Sequence, residues 1–447
     1  MKLNNKKVLV CGMGLSGIAA ARLLLHHGVY VTLQDNKSAP NLPEDLLTNP
    51  LVSTLFGQNP DDIIGQFDIL MLSPGIPTDL PFITKAYEQG VSVIGEIELA
   101  AAFCAATVIA ITGTNGKTTT TSMVGDIMHI FAPKSQVVGN IGIPFCEMAE
   151  KMPSDAFITV EVSSFQLETI LNFRPKISAV LNMTEDHLNR HKTMEAYIAA
   201  KERIFENQGV DDYCILNYDN EITRNMAAKT KAQVVFFSHN VLESGVFVQD
   251  DAIWIKLNNI DEGLIKINNL PIPGTHNLEN AMAAAAISAA AGVPPAVISQ
   301  GLRNFKAVEH RLEFVRNLNG VDYYNDSKAT NTDSAIKGLS AMKNSAVLIG
   351  GGQDKGLDFN EWVGMFAGNV RNFIVIGEVT QKLVKTCKNQ GFANYHIASD
   401  MSKAVQLASS LAKKGDCVLL SPACASFDMF DSFEHRGRMF KEYVNQL

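Results

Sequence analysis

None of the seven cysteines forms a Cys-x-x-Cys pair. That spacing excludes a thiolate zinc site and a disulfide frame, and reads as buried thiols in a reducing compartment. A basic excess is also missing. Lys+Arg number 38 against 46 Asp+Glu, a net charge of −8, which argues against a nucleic-acid partner, whose contact surface needs a cationic footprint. Long apolar runs are absent: the longest, Leu99 to Ile111 and Ala281 to Ala291, are Ala-rich and too short to span a bilayer. Residues Met1 to Lys7 carry no secretory-signal pattern and lead straight into a strand. No low-complexity linker occurs. The expectation is a cytoplasmic protein without membrane insertion, divided into about three domains by its 447 residues.

What is present centres on Gly113-Thr114-Asn115-Gly116-Lys117-Thr118-Thr119. An apolar run, Thr107 to Ile111, precedes it as a buried parallel strand, and Ser122 to Met128 has helical spacing. Glycines and hydroxyl residues therefore join a strand to a helix with Lys-Thr at its entrance. Such a turn aims backbone N–H groups at one spot, where the helix dipole also favours an anion. Lys117 then reaches outer phosphates of ATP and Thr118 offers its hydroxyl to magnesium. A strict phosphate loop has another glycine where this chain has Ile111, so the motif is a variant. The plain alternative is an ordinary Gly-rich connection.

Before it, Lys7 to Cys11 reads as a strand, followed by Gly12-Met13-Gly14-Leu15-Ser16-Gly17, a helix, and a second strand ending near Asp35. This is the dinucleotide fingerprint. Its glycines certify only a close approach of backbone to a diphosphate, so NAD and a UDP group both satisfy it. A strand over 67–72 ends in Ser73-Pro74-Gly75, and a boundary is expected near Glu96.

Two further strands, 156–164 and 177–181, end in polar residues, placing Glu161 and His187 beside Lys117 at the carboxyl ends of the sheet. A carboxylate in an apolar strand favours a metal or catalytic role, because burying it unpaired is costly. His187 reads equally as a loop or capping histidine. From 213 to 273 the pattern changes to short alternating segments, with 245–249 and 252–257 flanking Asp250-Asp251 as a β-hairpin. Asn277 is expected to cap the Ala-rich helix that follows, and Asn280 to offer an amide to a base. Between 305 and 447 four strands are expected, three ending in polar turns at 325–331, 350–355 and 421–428. In the segment 194–205 an apolar stripe encloses Lys201, which either snorkels to solvent or is desolvated into a neutral amine.

Together, the loop at 113–119, Glu161 to Glu168, Asn182 to His187, and Asn325 to Asn331 resemble the Mur ligases of peptidoglycan synthesis. The stretches 421–430 and 433–437 resemble the family's D-glutamate-adding members, and the likeness spans the whole chain. It implies an α/β fold of three domains: a Rossmann-like UDP-substrate domain (1–96), a central P-loop ATPase-like domain with a small antiparallel addition (97–304), and a C-terminal Rossmann-like amino-acid domain (305–447). The implied activity is ATP-dependent joining of D-glutamate to UDP-N-acetylmuramoyl-L-alanine through an acyl phosphate, by a monomer. Lys117, His187, Lys201 and Lys328 would be catalytic. Gly113, Thr114, Asn115, Gly116, Lys117, Thr118, Thr119, Asn280, Arg311 and Asp326 would hold ATP. Gly14, Leu15, Ser16, Asp35, Asn36, Lys37, Ser73, Asn140 and Ser163 would hold the UDP substrate, and Lys355, Ser426, Phe427 and Phe433 the D-glutamate. Thr118, Glu161, His187 and Lys201 would serve two Mg2+ sites, one of them through a carbamylated Lys201. An NAD(P)-dependent oxidoreductase, which has no use for a second phosphate loop, and another ATP-dependent amide ligase such as a folylpolyglutamate synthase stand as alternatives.

Overall fold

A computed structural model describes residues 3, 6–38, 40, 42–257, 259–272, 274–306 and 309–447. Pro273, the end of the alternating stretch, lies outside them. The chain forms two compact units, Met1–Asn269 with Glu279–Asn304, and Leu270–Leu278 with Phe305–Leu447.

The first unit contains two sheets. Strands β1 (Lys7–Cys11), β2 (Tyr30–Asp35), β3 (Val52–Phe56), β4 (Ile69–Leu72) and β5 (Ser92–Gly95) run in the order β3-β2-β1-β4-β5, all parallel. The central strands are apolar on both faces, as strands covered by helices on each side must be. Alternate residues of β1 serve different cores. Val8 and Val10 pack with Ala20 and Leu24 of the helix Leu15–His26, and Leu9 and Cys11 pack with Phe82 and Ile83. Gly12 follows β1 with φ 87°, and a Cβ there would lie 2.9 Å from the Ser73 Cβ. Only glycine permits both that backbone and that approach.

The second sheet comprises β6 (Thr107–Thr112), β7 (Gln136–Gly139), β8 (Phe157–Glu161), β9 (Ile177–Val180), β10 (Tyr213–Asn217), β11 (Gln233–Ser238), β12 (Gly245–Gln249), β13 (Ala252–Leu257) and β14 (Ile260–Lys266). Its order is β14-β13-β12-β11-β10-β9-β6-β8-β7. Only the β12–β13 and β13–β14 pairs are antiparallel. The expected hairpin is present, turning through Asp250 and Asp251 at φ 50° and 55°, the left-handed pair that a two-residue hairpin requires. The change of pattern expected at 213 comes later. Strands β10 and β11 still run parallel because Cys214, Ile215 and Leu216 are buried on both faces. The Ala-rich helix spans Thr275–Ala290, so Asn277 is inside its first turn and is not its cap.

The second unit holds β15 (Glu313–Leu318), β16 (Val321–Asn325), β17 (Ala346–Gly351), β18 (Val370–Ile376), β19 (Tyr395–Ile397) and β20 (Cys417–Leu420). They run β15-β16-β20-β17-β18-β19, parallel except for the edge hairpin β15–β16.

Candidate active site

In the central sheet β6 lies between β9 and β8, so the loop it feeds emerges between the residues that follow those two strands. The helix Lys117–Phe131 begins after Gly116, which has φ 82°. A side chain at Gly116 would also run into Asn280 Oδ1, the atom that accepts a hydrogen bond from Thr120 Oγ1 at 3.3 Å. Asn280 is therefore packed against the loop itself.

The loop is held in shape by the segment after β9. The Asn115 N–H donates to Asn182 Oδ1 (2.8 Å), and Asn182 Nδ2 donates back to the Asn115 carbonyl (3.1 Å). Thr114 Oγ1 donates to the Thr184 carbonyl and accepts from the Thr184 N–H, both at 3.1 Å. Tyr197 OH donates to the same hydroxyl at 3.3 Å. Sequence reasoning did not single out Asn182 or Tyr197 as site residues. The available signal for Asn182 is an amide two residues past a fully buried strand.

Lys117 Nζ donates to the carbonyls of Gly113 (2.8 Å) and Thr114 (2.9 Å). Lys201, 1% exposed, donates to Thr112 Oγ1 (3.1 Å) and to the Gly113 carbonyl (2.9 Å), with its Nζ 5.0 Å from the centre of the Tyr197 ring. The stripe expectation thus resolves to the desolvated lysine. Burial, then Lys117, push the Lys201 pKa well below its ordinary value, while Asp186 and Glu161 oppose the shift.

Glu161, also 1% exposed, ends β8. Its Oε1 accepts from Asn140 Nδ2 at 3.0 Å, whereas Oε2 is buried with no hydrogen-bond partner among the described residues. Such an oxygen is costly without a donor or a cation. Thr118 and Thr119 are buried in the first turn of the helix. His187 precedes the short helix Leu188–His191 in the left-handed region, φ 55°. Its ring is 41% exposed and packs edge-on against Phe165, with centroids 4.9 Å apart. Ser163 closes a capping box with Gln166.

At the end of β1, the Asp35 carboxylate accepts from the N–H groups of Met13 (2.8 Å) and Lys37 (2.9 Å), and Ser73 Oγ donates to the Gly12 carbonyl (2.7 Å). Asp35 and Ser73 thereby shape the Gly-rich turn from behind. Gly14 and Leu15 are exposed at its front, with Ser16 partly so. Asn36 and Lys37 lie exposed just past β2.

In the second unit β16, β20 and β17 are neighbours, so the three polar turns expected from the sequence adjoin one another. Asp326 is buried, accepts from Ser421 Oγ at 2.8 Å, and is pushed by burial up to about 7, against the pull of Arg311. Arg311 Nε is buried without a partner among the described residues. Lys328 Nζ lies 5.3 Å from the centre of the Phe433 ring. Ser426 is buried, while Phe427 and Lys355 are exposed. Arg436, which sequence reasoning left within a motif without a role, is fully buried. It donates to Ser327 Oγ (3.0 Å) and to the carbonyls of Ser327 (2.8 Å), Cys424 (3.1 Å) and Ala425 (3.2 Å). One guanidinium thus ties the turn after β16 to the turn after β20, a use of its fixed fork of donors.

Comparison with known proteins identifies the family. Residues 6–95 match the Mur ligase MurD-like N-terminal domain, residues 111–288 the Mur ligase middle domain, and residues 310–424 the Mur ligase glutamate ligase domain. The chain is 44% identical over 452 residues to the UDP-N-acetylmuramoylalanine--D-glutamate ligase of Alkaliphilus metalliredigens, covering 100% of this chain and 99% of that protein. It is 45% identical to the enzyme of the same name from Thermoanaerobacter sp. (strain X514), covering 100% of both. Among solved structures, MurF ligase from Thermotoga maritima in complex with ADP shares the fold at a TM-score of 0.62 with 14% identity, over 98% of this chain and 95% of that one. A three-domain α/β chain related over its whole length to such enzymes is a member of the Mur ligase family, in its MurD-like branch.

Proposed function

We propose that the protein joins D-glutamate to UDP-N-acetylmuramoyl-L-alanine at the expense of ATP. The observation that carries this reading is the buried pair at the carboxyl end of the central sheet. Glu161 presents there an oxygen with no hydrogen-bond partner among the described residues, and Lys201 is bonded onto the Gly-rich loop. End-to-end identity with D-glutamate ligases supports the choice of substrates, and the ADP-bound relative supports the nucleotide.

Carboxylate is a poor electrophile, so the reaction must first supply a leaving group. A carboxylate oxygen of the alanyl end attacks the terminal phosphorus of ATP, the bond to ADP breaks, and an acyl phosphate forms. The amine of D-glutamate adds to its carbonyl carbon, the nitrogen loses a proton, and phosphate departs. Two anions meet in the first step. Lys117 would turn from the loop carbonyls to the transferring phosphate, with Lys328 as a second cation, and backbone N–H groups of residues 113–119 would cradle the rest. Asn140 and His187 would orient the alanyl end, and Asn280, Arg311 and Asp326 would bind the nucleotide. Gly14, Leu15, Ser16, Asn36 and Lys37 would hold UDP on a turn that Asp35 and Ser73 shape, and Ser163 would lie on the same substrate's path.

The donor set fits a hard divalent cation such as magnesium, because the buried Oε2 of Glu161 lacks a partner among the described residues and the Thr118 hydroxyl stands at the loop helix. Bound there, magnesium would neutralise charge on the phosphates. A second position, with His187 nearby, would need Lys201 as an anion. The neutral Nζ would add to carbon dioxide, forming an N–C bond and releasing a proton, and the resulting carbamate would supply oxygen ligands. Limits at 96/97 and 304/305 are proposed for the three domains. Seven free thiols support a cytoplasmic setting, and no helix among the described residues is long and apolar enough to cross a membrane. A monomer is proposed.

The direct test is phosphate release from ATP with the UDP substrate present and single amino acids added in turn. D-glutamate alone is expected to trigger it. Release with L-lysine or D-alanine but not with D-glutamate, or release that needs a folate in place of the UDP substrate, would overturn the assignment.

Recognition of D-glutamate is assigned to Lys355, Ser426, Phe427 and Phe433. Lys355 is exposed and would pair with the side-chain carboxylate. Hydrogen bonds to charged groups contribute about 1.5–3 kcal/mol, so Lys355→Met should raise the Michaelis constant for D-glutamate roughly tenfold or more. That for ATP should stay nearly constant. Equal rises in both would assign Lys355 to a phosphate instead.

A further inference from the structure

Two imidazoles and one carboxylate, none of them assigned a role above, converge on the surface of the first unit. His26 ends the helix Leu15–His26, and His27 is its C-cap with φ −89° and ψ 11°. Successive residues inside a helix diverge by about 100°, but His27 has already left it, and the two ring centroids lie 5.6 Å apart. Glu150 arrives from the 3-10 turn Ala149–Lys151. His26 Nδ1 and Glu150 Oε2 are 2.7 Å apart, as are His27 Nε2 and Glu150 Oε1. One potential ligand atom from each residue lies within 4.8 Å of the other two.

We propose that these three residues form a binding site for a borderline divalent transition-metal cation of the zinc class. Two neutral imidazole nitrogens and one carboxylate oxygen are the ligands such ions prefer, at about 2.0–2.2 Å. With the three atoms already within 4.8 Å of one another, a shift of the carboxylate and rotation of the rings would bring them onto one centre. Three features suit a cation site here. The site caps the C-terminal end of a helix, whose dipole attracts positive charge. His27 packs on the Phe103 ring with centroids 4.3 Å apart, which restricts the orientation of its imidazole. His26, 74% exposed, leaves a route of entry and an open coordination position for water.

Glu309, His310 and Glu313 also cluster within ligand distance. There the Lys441 ammonium already sits on both carboxylates, so a cation of the protein's own fills the centre. Among the described residues the ion pairs of Glu150 are with His26 and His27. A bound ion would join the end of the helix behind the Gly-rich turn to the layer beside the central sheet, adding a cross-link between the two sheets of this unit.

The test uses the full chain, freed of metal by a chelator and kept in excess Mg2+. Cobalt(II) is titrated with visible absorption as the readout, and zinc with calorimetry. One equivalent is expected to bind with nitrogen–oxygen d–d bands and no thiolate charge-transfer band. His26→Ala and Glu150→Gln should each weaken binding by at least about tenfold, the scale for disturbed metal sites. Unchanged affinity in both variants, no binding in the parent protein, or a signal carried only by thiolate bands would each overturn the proposal. His26 is exposed enough that its replacement leaves the fold intact, so the result is readable even if the Glu150 variant fails to fold.

Discussion

Lys201→Ala is expected to lower turnover by on the order of a hundredfold to a thousandfold, the loss seen when one preorganised charge contact is removed. Lys201 is enclosed by Tyr197, Thr112 and the Gly113 carbonyl, so it does not snorkel. In place of an ammonium beside Lys117, a carbamate would put negative charge where the phosphates and their cation need a ligand. Alanine cannot form it, while acetate or formate can diffuse into the vacated space and supply a carboxylate. Partial recovery of turnover by such acids is therefore expected, in proportion to their concentration. An intact-mass measurement on the active parent enzyme should show one added carbon dioxide, lost on acidification. A fully active enzyme with an unmodified Lys201 would refute the carbamate. A Lys201→Ala enzyme that binds ATP normally but resists rescue would point to a packing role.

The second large effect is expected at Lys117. Its ammonium holds the carbonyls of Gly113 and Thr114, at the site where transferring charge would develop. Lys117→Ala should reduce turnover by on the order of a hundredfold or more, about 2.7 kcal/mol of transition-state stabilisation. UDP-substrate affinity should change little, since the Gly-rich turn belongs to a different sheet. Circular dichroism of the variant separates this from misfolding, because the loop keeps its bonds to Asn182 and Thr184. Wild-type turnover in Lys117→Ala would remove the phosphate-loop assignment.

The strand-loop-helix units were legible because their signals are local. Thr107–Thr112 is apolar and followed by Gly and Lys-Thr, and Lys7–Cys11 is followed by spaced glycines; no distant partner is needed to recognise either. The edge strands Val52–Phe56, Gln136–Gly139, Glu313–Leu318 and Tyr395–Ile397 were not anticipated. They are short and half-exposed, and they exist because a neighbour offers hydrogen bonds. The same reason moved the start of the antiparallel segment from 213 to β12. Burial of 213–217 on both faces is conferred by helices packed from elsewhere, which periodicity in one segment cannot report.

By itself, the sequence determined the three-part α/β plan, the Gly-rich loop between a strand and a helix at 113–119, and the acidic and polar residues placed after buried strands. Their chemistry is written into residue types at short spacing. Tertiary structure decided which of them meet. It set Lys201 on the Gly113 carbonyl across 88 positions, Asn182 against Asn115 across 67, and Arg436 against Ser327 across 109. It also brought His26 and His27 to Glu150 across more than a hundred. Strand order decides such meetings, and strand order follows from how whole sheets and helices bury their faces together. No window of neighbouring residues contains that information.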